Sequence, residues 1–130
     1  MAKLQLVVIT PERTEIEKEV DSLVVPMFDG QLGVLSGRAP MIGRLGYGTL
    51  VARTGNETES FFVDGGFVQC EQNVVSLLTA RAIPVSDIDV SEAEKALEAA
   101  VQMPGDSAEQ RQLREAASLR ARGQIRSARG

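Results

Sequence analysis

The sequence predicts a β + α protein, in which an N-terminal antiparallel β-sandwich is followed by a C-terminal α-helical hairpin. Up to about residue 84, apolar and polar residues alternate in short runs separated by turn residues, which is typical of β-strands. After Pro84 the apolar residues recur at intervals of three or four, which is typical of amphipathic helices. Many short strands at regular spacing indicate a sandwich or a barrel. We therefore expect a β-sandwich domain at residues 1–84 and a two-helix domain at 85–130.

Six segments of the first domain have the strand pattern: 3–9, 19–27, 47–53, 60–63, 66–71 and 74–83. Residues 52–60 fit a hairpin around a Gly-Asn pair. Residues 64–66, the run Asp-Gly-Gly, fit a tight turn that needs positive φ. Cys70 alternates with Val68 in one strand, which favours a buried core position over a functional thiol.

Two helices follow. Ser91, with Glu94 three residues later, has the spacing of a capping box and predicts the start of a first helix over 92–101. Residues 103–106, Met-Pro-Gly-Asp, end that helix. Ser107 is predicted to cap a second helix, AEQRQLREAASLRARGQIRSA. Its apolar stripe is mostly alanine and Gly123 lies in its interior, so we expect a marginal and mobile helix.

The composition excludes several classes of function. The chain has no histidine, the commonest general base and metal ligand, so we expect no catalytic residue, metal or cofactor. A single cysteine cannot form an internal disulfide and fits a reducing compartment. Net acidity and an aromatic content of 4% argue against a nucleic-acid partner. No apolar run approaches the roughly 18 residues of a membrane span, and no secretory signal pattern is present, so we expect a cytosolic protein without direct membrane insertion.

Charge is distributed unevenly along the chain. Residues 1–85 carry a net charge of −3, residues 86–106 of −5 and residues 107–130 of +4. Five arginines of the second helix fall within an arc of about 120°, with Arg120 opposite; this basic stripe consists of Arg111, Arg114, Arg122, Arg126 and Arg129. Such a stripe can meet an acidic surface, although a solvated basic face is the alternative.

The segment 29–48 is rich in glycine but lacks the features of a phosphate-binding loop. It contains no lysine, its glycines have the wrong order for a dinucleotide site, and strand patterns rather than a helix start flank it. We interpret the glycines as supplying positive φ and tight crossings in a β fold, in a segment too glycine-rich for an ordinary strand. Arg38 and Arg44 among small and apolar residues favour a protein interface there, although a pair of arginines more often serves only solubility.

Two motifs carry a resemblance to a known family. The first is the run Asp29-Gly30-x-Leu32-Gly33-Val34-Leu35-x-Gly37-x-Ala39-Pro40, and the second is Gly65-Gly66-Phe67 before a strand. The chain closely resembles the epsilon subunit of F-type ATP synthases, continuously from residue 4 to about 90 and loosely in the helical hairpin.

The resemblance implies a non-catalytic subunit of the central stalk, which binds the gamma subunit and the c-ring and couples proton-driven rotation to ATP synthesis. It implies a peripheral position on the cytoplasmic face of the bacterial inner membrane, or the organellar equivalent. By position, Asp29, Gly30, Gln31 and Leu32 resemble the loop that meets the c-ring. Gln31 stands where many members carry a carboxylate. The run Arg38, Ala39, Pro40 and Met41 resembles part of the face toward gamma.

The resemblance also concerns the hairpin. In the family it can extend along gamma and inhibit ATP hydrolysis, its second helix meeting an acidic segment of the catalytic beta subunit; the basic stripe fits that role. Some members bind ATP through a motif that here reads Ile88, Asp89, Glu92 and Ala93 at its defining positions. Glu92 replaces an arginine, so the local charge disfavours a polyphosphate and we expect weak or absent ATP binding.

Two other functions remain open from the residues alone. A free-standing β-sandwich module could bind an acidic protein partner through the basic helical tail. A small hydrolase has little support, because the chain lacks histidine and its serines lie in predicted turns or caps.

Overall fold

A computed structural model describes residues 3–129 of the chain. Eight strands come first, then a short 3-10 helix at Val85–Asp87 and two α-helices. The strands are β1 (Leu4–Ile9), β2 (Thr14–Val20), β3 (Ser22–Met27), β4 (Gly30–Leu35), β5 (Met41–Thr54), β6 (Glu57–Glu71), β7 (Val74–Leu78) and β8 (Ala82–Pro84); the helices are α1 (Val90–Val101) and α2 (Ala108–Arg129). The predicted fold class, a β-sandwich followed by a helical hairpin, is confirmed.

The strands form one hydrogen-bonded sheet in the order β2-β1-β7-β6-β5-β3-β4, with β8 also paired to β6. The sheet folds over itself, so that alternate side chains of its strands enter one core. That core includes Leu4, Leu6 and Val8 of β1, Val25 of β3 and Leu50 of β5. Cys70 is buried in the same core, as its alternation with Val68 predicted.

One strand pair departs from the antiparallel prediction. β1 runs parallel to β7, with Gln5 opposite Val74 and Ile9 opposite Leu78, whereas the other pairs are antiparallel. Parallel strands need a long crossover connection, and here five strands supply it. Alternation along each strand contains no information about the direction of its neighbour, so the pattern alone could not reveal this pair.

Four details of the strand prediction are wrong. β6 runs without interruption through residues 64–66, where a turn was expected, although Gly65 and Gly66 do have the predicted positive φ values of 66° and 107°. The segment 74–83 is two strands, β7 and β8. β2 was missed because it is a partly exposed edge strand rich in charge. The glycine-rich segment contains β4 and the start of β5, so much of it is ordinary strand, whereas residues 36–40 lie in the connection between them.

The cap of α1 also differs from the prediction. Asp89 is the N-cap residue, and its carboxylate accepts a hydrogen bond of 3.2 Å from the backbone N–H of Glu92. Ser91 lies inside the helix instead. Asp89 has the extended backbone that an N-cap residue adopts, and Asp is as good a cap as Ser. The predicted cap of α2 is confirmed, since the Ser107 hydroxyl accepts from the N–H of Gln110 at 3.1 Å.

The helical hairpin packs on the sandwich through α2. α1 lies against α2 and buries Ala93 and Ala100, and α2 contacts β5 and β6. No helix within residues 3–129 is long and apolar enough to cross a membrane.

Candidate interaction surfaces

The described residues do not gather into a site for chemistry. Among residues 3–129, no group of three or more acidic or cysteine side chains could hold a metal ion, and each fully buried polar side-chain atom has a hydrogen-bond partner.

The β3–β4 turn forms an exposed tip. Asp29 lies in the two-residue turn, Gly30 and Gln31 begin β4 and are exposed, and Leu32 is half-buried. Sequence reasoning missed Phe28, the other turn residue, whose side chain is 66% exposed. The Arg44 guanidinium carbon lies 5.8 Å from the centre of the Phe28 ring, a cation–π distance. The sequence did contain a signal for Phe28, because an aromatic residue directly before an Asp-Gly turn is expected to lie at an exposed turn.

The β4–β5 connection presents the second predicted run. Arg38, Ala39 and Pro40 are exposed, and Met41 is half-buried at the start of β5. The loop is tied to the β6–β7 turn, because the backbone N–H of Gly37 donates to the Asn73 side chain at 2.7 Å.

Beside that loop lies an exposed apolar surface that the sequence reasoning missed. Phe67 of β6 stands opposite Arg44 of β5 and Leu78 of β7, and Leu78 stands opposite Ile9 of β1. Directly opposite residues share a face of a sheet, as do residues two apart on a strand. Ile42, which is 76% exposed, thus joins the same side. We name this surface, made of Ile9, Ile42, Phe67 and Leu78, the apolar face. Arg44 links it to the tip at Phe28.

The basic stripe is partly engaged within the hairpin. Arg111 donates to the carbonyl of Gly105 at 3.1 Å, and the Arg114 guanidinium lies over Gly105. Arg129 forms a 2.8 Å ion pair with Glu94 of α1. Exposed Arg122 and Arg126 line a cleft of about 580 Å³ between the two helices. The stripe therefore has an acidic partner in α1 of the same chain, an arrangement that charge counting along the sequence did not anticipate.

The residues of the ATP motif have structural partners. Asp89 caps α1, Ala93 is buried, and Ile88 is half-buried. The carboxylate of Glu92 lies 3.8 Å from the ammonium of Lys95. The two acidic side chains of the motif, Asp89 and Glu92, thus both make contacts within α1.

Arg120, alone on the far side of α2, joins the hairpin to the sandwich. Its Nε donates to both carboxylate oxygens of Asp64, at 2.8 and 2.9 Å, and its guanidinium carbon lies 5.6 Å from the centre of the Tyr47 ring. The hydrogen bond from Arg120 to Asp64 raises the pKa of the guanidinium above its usual value, and burial opposes that shift. Next to it, the hydroxyls of Thr49 and Ser127 are 2.6 Å apart.

Comparison with known proteins identifies the family. A family model described as "ATP synthase, Delta/Epsilon chain, beta-sandwich domain" matches residues 3–85. The ATP synthase epsilon chain of Rhodopirellula baltica is 56% identical over 97% of this chain and 98% of the relative. The chloroplastic epsilon chain of Pyropia yezoensis is 34% identical over 96% of this chain and 95% of its own length.

Solved structures share the fold. A chain in the cryo-EM structure of the Euglena gracilis mitochondrial ATP synthase, containing OSCP, F1 and the c-ring, superimposes with a TM-score of 0.85 at 23% identity, covering 100% of this chain and 83% of that one. With a family model that matches the β-sandwich and relatives that match along nearly the whole length, the chain belongs to the ATP synthase epsilon chain family, whose members are non-catalytic subunits of that complex.

Proposed function

We propose that this chain binds the gamma subunit and the c-ring in the central stalk of an ATP synthase and couples proton-driven rotation to ATP synthesis. In this proposal residues 1–84 are the docking domain and residues 85–130 the regulatory domain. The observation that carries the proposal is the apolar face beside the loop Arg38–Met41. Large exposed apolar side chains that adjoin one another are typical of protein interfaces, and the arginine beside them is a residue enriched there.

The gamma subunit is assigned to the apolar face together with Arg38, Ala39, Pro40 and Met41. The tip of Asp29, Gly30, Gln31 and Leu32 is assigned to the c-ring. Because position 31 is an uncharged glutamine, hydrogen bonding and apolar contact through Phe28 and Leu32 would dominate at that tip. Such docking places the chain peripherally at the membrane, on the cytoplasmic face of a bacterial inner membrane or at the organellar equivalent.

Capture experiments test the gamma assignment. A tagged chain in its native host should recover the other ATP synthase subunits, and Phe67→Asp should weaken that recovery because it places a charge in the apolar face. Leu113→Asp is the matched control, since Leu113 is 58% exposed on α2 and Phe67 is 60% exposed. A chain purified as a monomer that is indifferent to gamma would contradict the proposal and favour the free-standing module.

We infer that the helical hairpin inhibits ATP hydrolysis through the basic stripe and an acidic segment of the catalytic beta subunit. Arg122 and Arg126 are exposed and available, whereas Arg129 would have to exchange its pair with Glu94. Attraction between exposed charges is screened by salt, so inhibition should weaken as ionic strength rises.

The test compares ATP hydrolysis by the assembled enzyme with and without residues 86–130 at low salt. Removal should raise hydrolysis, and Arg122→Glu with Arg126→Glu should raise it as well. Arg53→Glu, the same type of substitution at an exposed position of β5, should not. Equal hydrolysis with and without the hairpin would leave the stripe as a solvated basic face.

We propose further that the isolated chain binds ATP weakly or not at all. The motif positions are occupied by a helix cap and by a carboxylate paired with Lys95. Titration calorimetry checks this, and saturable binding at micromolar ATP would contradict it.

A further inference from the structure

One side of α2 carries the contacts between the hairpin and the sandwich. Arg120, Gly123 and Ser127 follow one another at helical spacing, so they lie on one side of the helix. Their partners lie on the neighbouring strands β5 and β6, where Tyr47 and Asp64 are directly opposite each other. The contact is therefore compact and combines an ion pair, a close backbone approach and a hydroxyl pair.

The ion pair between Arg120 and Asp64 stabilises the docked position of α2. The Asp64 side chain is 3% exposed, and Arg120 is the cation that reaches it while α2 is docked. A buried charge that loses its partner is strongly unfavourable unless it regains water. With Arg120 neutralised, release of α2 is the movement that returns the Asp64 carboxylate to solvent.

Gly123 sets how closely α2 can approach β5. A Cβ atom at this position would lie 2.6 Å from the carbonyl oxygen of Tyr47 and 3.0 Å from the ring of Phe62. Any larger residue therefore forces α2 away from the sheet. The low helix propensity of glycine acts on α2 in the docked and the released state alike, so it does not change the balance between them. Gly123 thus favours the docked hairpin through the close approach of α2 to β5.

We propose that Asp64, Tyr47, Arg120 and Gly123 form a latch that sets the balance between a docked and a released hairpin. The latch consists of contacts within the chain, so it goes beyond the proposed inhibition and holds whether or not the hairpin inhibits hydrolysis. Its charge pair also predicts non-additivity. Loss of Arg120 alone leaves a buried carboxylate, whereas loss of both charges does not, so the single variant should release the hairpin more than the double variant.

The chain contains its own probe of the latch. It has one tyrosine and no tryptophan, so its intrinsic fluorescence arises from Tyr47. In the full-length chain, Arg120→Gln should increase quenching of that fluorescence by acrylamide, with a rise of at least about tenfold in the released fraction. Gly123→Ala should act in the same direction with the ion pair intact. Asp64→Asn with Arg120→Gln should release less than Arg120→Gln alone. Arg53→Gln, the charge-matched control, should leave quenching unchanged.

A disulfide separates release from a local effect on the fluorophore. Thr49→Cys and Ser127→Cys in a Cys70→Ala background place two thiols where hydroxyls are 2.6 Å apart, within reach of a disulfide. When the Arg120→Gln substitution is added to this background, formation of the disulfide should lower the quenching to the level of the parent chain. Increased quenching that persists after oxidation would overturn the latch, as would unchanged quenching in both Arg120→Gln and Gly123→Ala. Equal release in the single and double charge variants would overturn the role of the ion pair.

Discussion

At the scale of single residues, a glycine in β6 allows two strands to cross closely. Gly66 has a φ of 107°, which disfavours residues with a side chain, and a Cβ there would overlap the carbonyl oxygen of Leu78. The next residue, Phe67, pairs with Leu78 across β6 and β7. The glycine pair at 65–66 therefore bends a continuous strand where the sequence suggested a turn.

Gly66→Ala should destabilise the chain by at least about 2 kcal/mol, because it combines backbone strain with a steric clash. Gly33→Ala is the control, since its Cβ would meet nothing within 4 Å and its φ is not in the left-handed region. Urea unfolding of both variants measures the difference. Equal urea midpoints for the two variants would contradict a structural requirement for glycine at position 66.

Asp21 provides a pH dependence at the residue scale. The backbone N–H of Gly55 donates to its carboxylate at 2.6 Å and lowers the pKa of Asp21 below its usual value. Desolvation opposes this shift, and Lys3 adds to it. A lowered folded-state pKa stabilises the fold above the unfolded value, and this stabilisation is lost as pH falls through the folded-state pKa.

Melting temperatures of the parent chain and of Asp21→Asn should therefore differ near neutral pH. We expect the difference to narrow as the pH falls from the unfolded-state pKa through the lower folded-state pKa, where the carboxylate of the folded chain becomes protonated. A difference in melting temperature that stays constant down to the lowest pH measured would show that the charge of Asp21 does not contribute to stability.

At the scale of elements, the N-cap of α2 could be predicted from the sequence, whereas that of α1 could not. The cap of α2 at Ser107 could be predicted because serine directly precedes the second helical pattern, after the Met-Pro-Gly-Asp run that ends the first. At α1, Asp89 and Ser91 both have capping side chains, and the choice between them depends on where the chain leaves the 3-10 helix at Val85–Asp87. Local pattern cannot decide between two caps two residues apart.

Asp89→Ala should lower the stability of the hairpin by about 1 kcal/mol, because it removes the N-cap hydrogen bond to Glu92. Ser91→Ala should have little effect, since that side chain lies within the helix. Hydrogen exchange of the α1 backbone amides is the measurement. Faster exchange in Ser91→Ala than in Asp89→Ala would contradict the cap at Asp89 and support the predicted cap at Ser91.

The same limit applies to the strands and the surfaces. Alternation revealed the core strands, because burial of one face leaves a period of two in residues such as Leu4, Leu6 and Val8. It missed the charged edge strand β2, which pairs with β1 and contributes little to the core. It also missed the apolar face, because Ile9, Phe67 and Leu78 become neighbours through strand pairing across distant parts of the sequence.

At the scale of the whole molecule, the uneven charge along the sequence becomes a contact between helices. The acidic segment 86–106 contains α1, the basic segment 107–130 contains α2, and Glu94 and Arg129 join them. Such exposed pairs contribute little stability. The core cluster, by contrast, consists of residues of the strands, and its members range from Leu4 to Leu77.

A chain ending at residue 85 should therefore still fold as a β-sandwich. In that shortened chain Asp64→Asn should be nearly neutral, because the carboxylate no longer has α2 over it, whereas in the full chain the same substitution should lower stability. Urea unfolding of the four proteins gives the comparison. An unfolded shortened chain would show that the hairpin is needed for the sandwich to form.

The parallel pairing of β1 with β7 has a consequence for the order in which the chain can fold. The hairpins β1–β2, β3–β4 and β5–β6 join neighbouring segments and close short loops. β1 meets its second neighbour only when residues 74–78 are in place, and contacts between such distant residues slow folding. Until then one side of β1 presents unpaired backbone groups. Of the eight strands, β1 is the first to be synthesised and is thus among the last to be enclosed.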